Sequence, residues 1–217
     1  ADNPANVEPG SFTNYYALDN LSSLPNFELL EPIGQEVVSQ VNFPSTGGNF
    51  AGSGLSDDVG AVFEGYVEIP ESNTYLLYLD SDDGSKLYIG GELLIDNDGL
   101  HGMVEVAGQI ALAPGLHEIR VEFFERGGGA GCIVSLSSDT LLKQVIPENM
   151  WWHHVVIHGD INDDGSVDVL DLLELIAAWG NCDMPPPGEG GDDCNADLNG
   201  DGNVDVEDLL ELIAQWP

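Results

Sequence analysis

From about residue 10 to residue 150, apolar and polar residues alternate in short runs. They read "AVFEGYVEIP" at 61–70, "YLLYLDS" at 75–81, "KLYIGGELLID" at 86–96, "VEVAGQIALAPG" at 104–115, "HEIRVEFFE" at 117–125 and "CIVSLSS" at 132–138. A period of two puts every second side chain on one face, so each run predicts a half-buried strand. Ser-Asp-Asp-Gly-Ser at 81–85 and Ala-Pro-Gly at 113–115 predict reversals, with Pro114 presetting the bend and glycine supplying positive φ. Many short strands punctuated this way predict an all-β sandwich in which helix is scarce.

Around residue 153 the period changes. Asp-Leu-Leu-Glu-Leu-Ile-Ala occurs at 171–177 and again at 208–214, an offset of 37 residues. Val169, Leu172, Leu173 and Ile176, then Val206, Leu209, Leu210 and Ile213, fall at i, i+3, i+4 and i+7, the spacing of one helical face. Each copy predicts a loop followed by a helix. Between them "GNCDMPPPGEGGDDC" stops helix propagation, because three prolines remove donors and the glycines remove restraint. "MWWHHVVIHG" at 150–159 joins the two regions, and its tryptophan pair is expected at the junction. The expected organisation is mainly β: a sandwich over 1–152, then a small helical domain over 153–217.

The loops ahead of the two helices carry the clearest chemistry. "DINDDGSVDVLD" at 160–171 offers Asp160, Asn162, Asp164, the carbonyl of Ser166 and Asp171 at positions 1, 3, 5, 7 and 12, with Gly165 at 6. "DLNGDGNVDVED" at 197–208 repeats the set as Asp197, Asn199, Asp201, the carbonyl of Asn203 and Asp208, with Gly202 at 6. These are EF-hand ligand positions, and glycine at 6 serves the sharp turn. Hard oxygen donors favour calcium over zinc, and a flexible loop of carboxylates and carbonyls suits calcium better than magnesium. Two Ca2+ ions are therefore expected, with Asp168 and Asp205 at position 9 acting directly or through water.

Charge narrows the partners. Thirty-nine acids stand against four basic residues, a formal charge of -35 that repels nucleic-acid phosphates and anionic lipid alike. No run of about 18 apolar residues exists, so no membrane insertion is expected. Of three cysteines, Cys182 and Cys194 flank the Pro/Gly-rich connector and are expected to pair, whereas Cys132 in an apolar run reads as a buried free thiol. A bridge and extreme acidity point to a secreted, extracellular or cell-surface setting.

The tail differs from an EF-hand in having no helix before either loop and aspartate, not glutamate, at position 12. It resembles a dockerin domain of type I, the duplicated loop-helix module that plugs proteins into cohesin-bearing scaffolds. The resemblance implies two calcium ions needed for folding and partner contacts from positions 10 and 11, here Val169, Leu170, Val206 and Glu207. Those positions are usually hydroxyl-bearing in the scaffold-docking branch, with basic residues later in the helix; this tail has neither Lys nor Arg.

The first region, through the order Ser-Asp-Asp-Gly-Ser, "LYIGG", Pro-Gly-x-His and "FFERGGGAG", resembles the PA-14 domain, a β-sandwich of adhesins, glycosidases and toxins. In the lectin branch of that family the paired aspartates, here Asp82 and Asp83, hold a calcium ion that grips sugar hydroxyls. That branch adds an asparagine from a second loop, where this sequence has "ERGGGAGC" and only the carbonyls of Gly127 to Gly129 to offer. A third calcium at Asp82/Asp83 and an ordinary hairpin turn both stand as readings of the site.

Among so many acids, pairs at glycosidase spacing arise by chance, and no nucleophile stands beside a base, so no enzyme is expected. His153 and His154 read as packing or hinge residues rather than a metal site. Three functions remain. The protein assembles through its calcium-loaded module with a protein partner or with other copies of itself, as in a surface layer or fibre. Alternatively it is a calcium-dependent lectin-like adhesin that binds glycans, or an accessory subunit of a carbohydrate-active complex.

Overall fold

A computed structural model describes residues 1–181 and 194–216. The protein divides into two compact units, Ala1–His154 and Val155–Pro217.

In the first unit the strands are β1 (Val7–Pro9), β2 (Ser11–Ala17), β3 (Gly34–Val38), β4 (Asn42–Thr46), β5 (Val59–Ile69), β6 (Asn73–Asp82), β7 (Ser85–Ile89), β8 (Glu92–Asn97), β9 (Val104–Leu112), β10 (Gly115–Glu125), β11 (Ala130–Ser137), β12 (Gln144–Val145) and β13 (Trp151–His154). One sheet runs β1-β13-β5-β10-β7-β8, with β2 on β5 and β3 beyond it; the other runs β12-β11-β6-β9, with β4 on β11. All pairings between these strands are antiparallel. The longest joins β5 to β10, from Val59 against Glu125 to Ile69 against Gly115.

Alternation decides which side chains meet between the sheets. β5 sends in Val59, Ala61, Phe63, Val67 and Ile69, and β10 sends in Ile119, Val121 and Phe123. The second sheet answers with Tyr75, Leu77 and Leu79 from β6 and Cys132, Val134 and Leu136 from β11. Within this core Phe50 stacks on Phe123 with ring centroids 4.5 Å apart. Cys132 is free and buried, and burial pushes its thiol up.

Three features depart from the sequence expectation. His153 and His154 pair with Glu8 and Val7 in β13, so the first unit extends two residues past the expected boundary at 152. Trp151 fills the sandwich core instead of a junction, its indole N–H donating to the Ile146 carbonyl at 3.3 Å. Gly115 has φ of 121°, as expected, but Gly84 is not in the left-handed region. Gly84 serves close approach: a Cβ there would lie 2.5 Å from the Phe124 ring and 2.7 Å from the Gly99 nitrogen.

The second unit is built around α1 (Val169–Ala177) and α2 (Val206–Gln215), with a short ladder of Gly180–Asn181 against Asn203–Val204. Its core is Ile161, Val167, Leu175, Ala196, Val204 and Leu212, with Leu172, Cys194, Leu198 and Leu209 packed against it. The other half of the expected bridge, Cys182, lies outside the described residues. Each helix is apolar on two sides. Leu172, Leu175, Leu209 and Leu212 turn inward, while Val169, Leu173, Ile176, Val206, Leu210 and Ile213 stay more than half exposed. The expected stripe is therefore split between the core and the surface.

Candidate metal centres

In the first loop of the second unit, Asp160 accepts from the Asp164 and Gly165 amides at 3.1 and 2.9 Å. Asn162 Oδ1 accepts from the Asp164 amide at 3.0 Å, and Asp164 Oδ1 from the Ser166 amide at 3.1 Å. Asp171 is fully buried. Its Oδ1 accepts from the Ile161 and Asn162 amides at 2.7 and 3.2 Å, and its Oδ2 from the Asp168 amide at 2.7 Å.

The second loop repeats this pattern. Asp197 accepts from the amides of Gly200 (2.9 Å), Asp201 (3.2 Å) and Gly202 (2.8 Å). Asn199 Oδ1 accepts from Asp201 N at 2.9 Å, and Asp201 Oδ1 from Asn203 N at 2.9 Å. Asp208, also fully buried, holds the amides of Leu198, Asn199 and Asp205 at 2.8, 3.2 and 2.7 Å.

Each closing aspartate has a second task. Asp168 and Asp205 cap α1 and α2, accepting from Leu170 N at 2.7 Å and Glu207 N at 2.8 Å, while Asp171 and Asp208 complete the reciprocal capping box. Loop closure and helix initiation thus share one residue. Residues 155–217 contain neither Lys nor Arg, so no lysine or arginine of that stretch offsets its carboxylates. A bound divalent cation fits that donor set.

The second candidate lies at the end of β6 and the start of β7. The Asp82–Asp83 peptide is cis, and Asp82, Asp83 and Glu125 each bring a carboxylate oxygen within 4.8 Å of the others. Asp82 accepts from Ser45 Oγ at 3.1 Å; Asp83 accepts from the His101 and Arg126 amides at 2.9 and 3.1 Å. Glu125 is fully buried, and neither of its carboxylate oxygens has a hydrogen-bond partner. Burial first, then the Asp83 charge, pushes its carboxyl up to about 7. Burial likewise raises Asp82.

Such a carboxylate is costly unless a cation completes it, so the group fits a metal. Gly129 lets the neighbouring loop close on it, since a Cβ there would stand 2.5 Å from Ser45 Oγ and 2.9 Å from Asp82 Oδ2. Glu125 is the residue missed from sequence. Its signal was the acid placed at the buried end of β10, one residue ahead of the glycine run at 127–129.

Among the partner-contact positions, Val169, Leu170 and Val206 are about half exposed and Glu207 is exposed. His153 is buried in β13, where its Nδ1 has no hydrogen-bond partner. Among the described residues, Asp82, Asp83 and Glu125 form the one cluster of His, Cys, Asp or Glu whose ligand atoms gather this closely.

A two-sheet sandwich with an acidic turn at its rim, followed by a duplicated loop-helix unit, defines a β domain joined to a calcium-loop module. The chain belongs to the PA14 domain family, matched over residues 7–149, and residues 158–215 match the dockerin type I domain. Dockerin type I domains bind calcium and cohesin partners and are typical of extracellular or cell-surface proteins. Neither family is catalytic. Among the described residues no helix is long and apolar enough to cross a membrane.

Anti-sigma-I factor RsgI3 of Acetivibrio thermocellus is 34% identical over 86 residues, or 39% of this chain and 13% of that protein. A solved anti-sigma factor domain-containing protein has a TM-score of 0.60 at 25% identity, covering 69% of this chain and 50% of its own. The PA14 sugar-binding domain from an RTX adhesin has a TM-score of 0.57 at 20% identity, covering 67% and 98%, a likeness of fold. The protein therefore spans about an eighth of the curated relative and half of the first of these structures.

Proposed function

We propose that this is a secreted, non-catalytic adaptor whose calcium-loaded tail docks on a cohesin-type protein while its PA14 unit binds carbohydrate through a third calcium. The observation that carries the docking half is the repeated exposed stripe, Val169, Leu173 and Ile176 on α1 and Val206, Leu210 and Ile213 on α2. Apolar surface repeated on two helices is what a partner can bury. Calcium at Asp160, Asn162, Asp164, Ser166 and Asp171, and at Asp197, Asn199, Asp201, Asn203 and Asp208, holds the helices that carry it. Val169, Leu170, Val206 and Glu207, at loop positions 10 and 11, are the residues proposed to touch this partner first. A Cys182–Cys194 bridge pinching the connector fits the oxidising compartment.

Charge favours a foreign partner over a second copy. The protein has four basic residues, and Lys86, Arg120 and Lys143 are already paired with Asp98, with Glu64 and Glu122, and with Glu105. Its own surface has little positive charge to receive an acidic tail. Assembly into a layer or fibre would need that repulsion offset by bound cations.

The sugar-binding half rests on Asp82, Asp83 and Glu125. Metal held by these three groups leaves coordination positions for vicinal hydroxyls. Two measurements test the whole. Binding to an immobilised cohesin should require calcium and vanish in Asp171→Ala/Asp208→Ala, and glycan-array signals should require calcium and Asp83. Binding that persists in chelator defeats the docking reading, a calcium-independent array the sugar reading, and sedimentation showing polymers without any partner would restore self-assembly.

A further inference from the structure

We propose that Asn199 is a calcium-gated deamidation site, an irreversible record of the second loop having stood open. The inference rests on the reading of residues 197–208 as a calcium loop. Asn199–Gly200 is the one Asn-Gly pair in the sequence, and it sits at loop positions 3 and 4. Glycine has no side chain to shield its amide nitrogen, so that nitrogen can reach Cγ of the preceding asparagine once the backbone is free to turn.

The chemistry needs only water. The Gly200 backbone nitrogen loses its proton to solvent and bonds to Asn199 Cγ. The bond between Cγ and Nδ2 of Asn199 then breaks, ammonia leaves, and a cyclic imide remains. Water opens the imide at one carbonyl to give aspartate or at the other to give isoaspartate. The net change is amide plus water to acid plus ammonia, with nothing oxidised or reduced.

The closed loop engages both reacting groups. Gly200 N donates to Asp197 Oδ1 at 2.9 Å, and Asn199 Oδ1 accepts from Asp201 N at 2.9 Å. Asn199 N is itself held by Asp208 Oδ1 at 3.2 Å. Calcium on Asp197, Asn199, Asp201 and Asp208 locks the same atoms. The site remains at the surface, with Gly200 exposed, so water reaches it whenever the loop opens.

The first loop is a built-in control. Asn162 holds the same position and accepts from Asp164 N at 3.0 Å, but Asp163 follows it in place of glycine. Asp163 adopts φ of 58° where Gly200 has 73°, so the aspartate is accommodated in the same left-handed conformation. Isoaspartate at 199 would insert one backbone carbon between positions 3 and 4 and destroy the spacing on which the ligand set depends. The second loop would then lose its ion permanently while the first kept its own.

The full-length protein is incubated at neutral pH in calcium or in chelator and digested, and the Asn199 and Asn162 peptides are weighed and probed for isoaspartate; calcium binding is titrated on the same sample. In chelator the Asn199 peptide should gain about one mass unit, chiefly as isoaspartate, while the Asn162 peptide stays unchanged. Calcium at about a hundred times its dissociation constant should slow the change on the order of a hundredfold, by depleting the open state. Gly200→Asp should keep both calcium sites and abolish the modification. Calcium binding without slowing, or modification persisting in Gly200→Asp, overturns the gating while leaving the calcium loops intact. Failure to bind calcium overturns the loop reading itself, and the gating with it.

Discussion

Glu125 and Asp83 bring carboxylate oxygens within 4.8 Å of each other, and Glu125 is held there with no hydrogen-bond partner. Without a cation this arrangement opposes folding, and its pH dependence has a definite sign. The folded carboxyl of Glu125 titrates near 7 instead of the ordinary 4.5, so the folded state holds the proton more tightly than the unfolded state. In chelator the stability of the PA14 unit should be unaffected by this group below about 4.5, fall as pH rises toward about 7 and level off above it. Melting temperatures across that range check it; a rise over the same window would show that the burial penalty has been misassigned.

Glu125→Gln removes the charge and keeps the shape. In chelator at pH 8 the variant should be more stable than the parent by about 3 kcal/mol, and at pH 4 the difference should disappear. In calcium the order should reverse, because the parent gains a bound ion that the variant holds weakly. Paired denaturant titrations decide it.

Gly129→Ala should destabilise the PA14 unit by roughly 1–3 kcal/mol, since the new methyl would meet Ser45 Oγ and Asp82 Oδ2 far inside contact distance. Gly128→Ala is the contrasting variant. At Gly128 a Cβ meets nothing within 4 Å, but φ of 120° makes the conformation itself unfavourable. Comparing calcium affinity in the two separates crowding of Asp82 from backbone strain.

Leu173 and Leu175 are two residues apart on α1 and face opposite ways. Leu175→Ala should cost the second unit about 2–5 kcal/mol, as expected for a fully buried leucine. Leu173→Ala should change stability by no more than about 0.5 kcal/mol, since this leucine is 57% exposed, yet weaken cohesin binding. Equal losses of folding from the two would mean that the outer face belongs to the core.

Asp171→Ala should cost on the order of 1–2 kcal/mol in chelator through the broken capping box and disconnected Ile161 amide. In calcium it should cost the affinity of the first loop as well. Circular dichroism during a calcium titration reads both effects.

The strands were legible because a period of two over β6 and β10 marks one face of each for burial. The two loops ahead of the helices were legible because their repeated spacing of acids, amides and glycine is written along the sequence. The faces of α1 and α2 were not, since Asp-Leu-Leu-Glu-Leu-Ile-Ala is apolar on two sides and periodicity cannot say which side a neighbour will cover. Glu125 was hidden for another reason: an acid looks solvated until the backbone around it is folded. Phe27, packing with Tyr16 and Val62 in a small separate cluster, likewise depends on where an irregular segment comes to rest.

The aspartate that ends each loop also begins each helix. On the proposed calcium reading, an ion leaving Asp171 or Asp208 would unfasten a helical first turn at the same moment, and the apolar stripe would lose the scaffold that displays it. The surrounding calcium concentration would then set not only whether the tail is folded but whether it is adhesive, making stickiness a property granted by the medium.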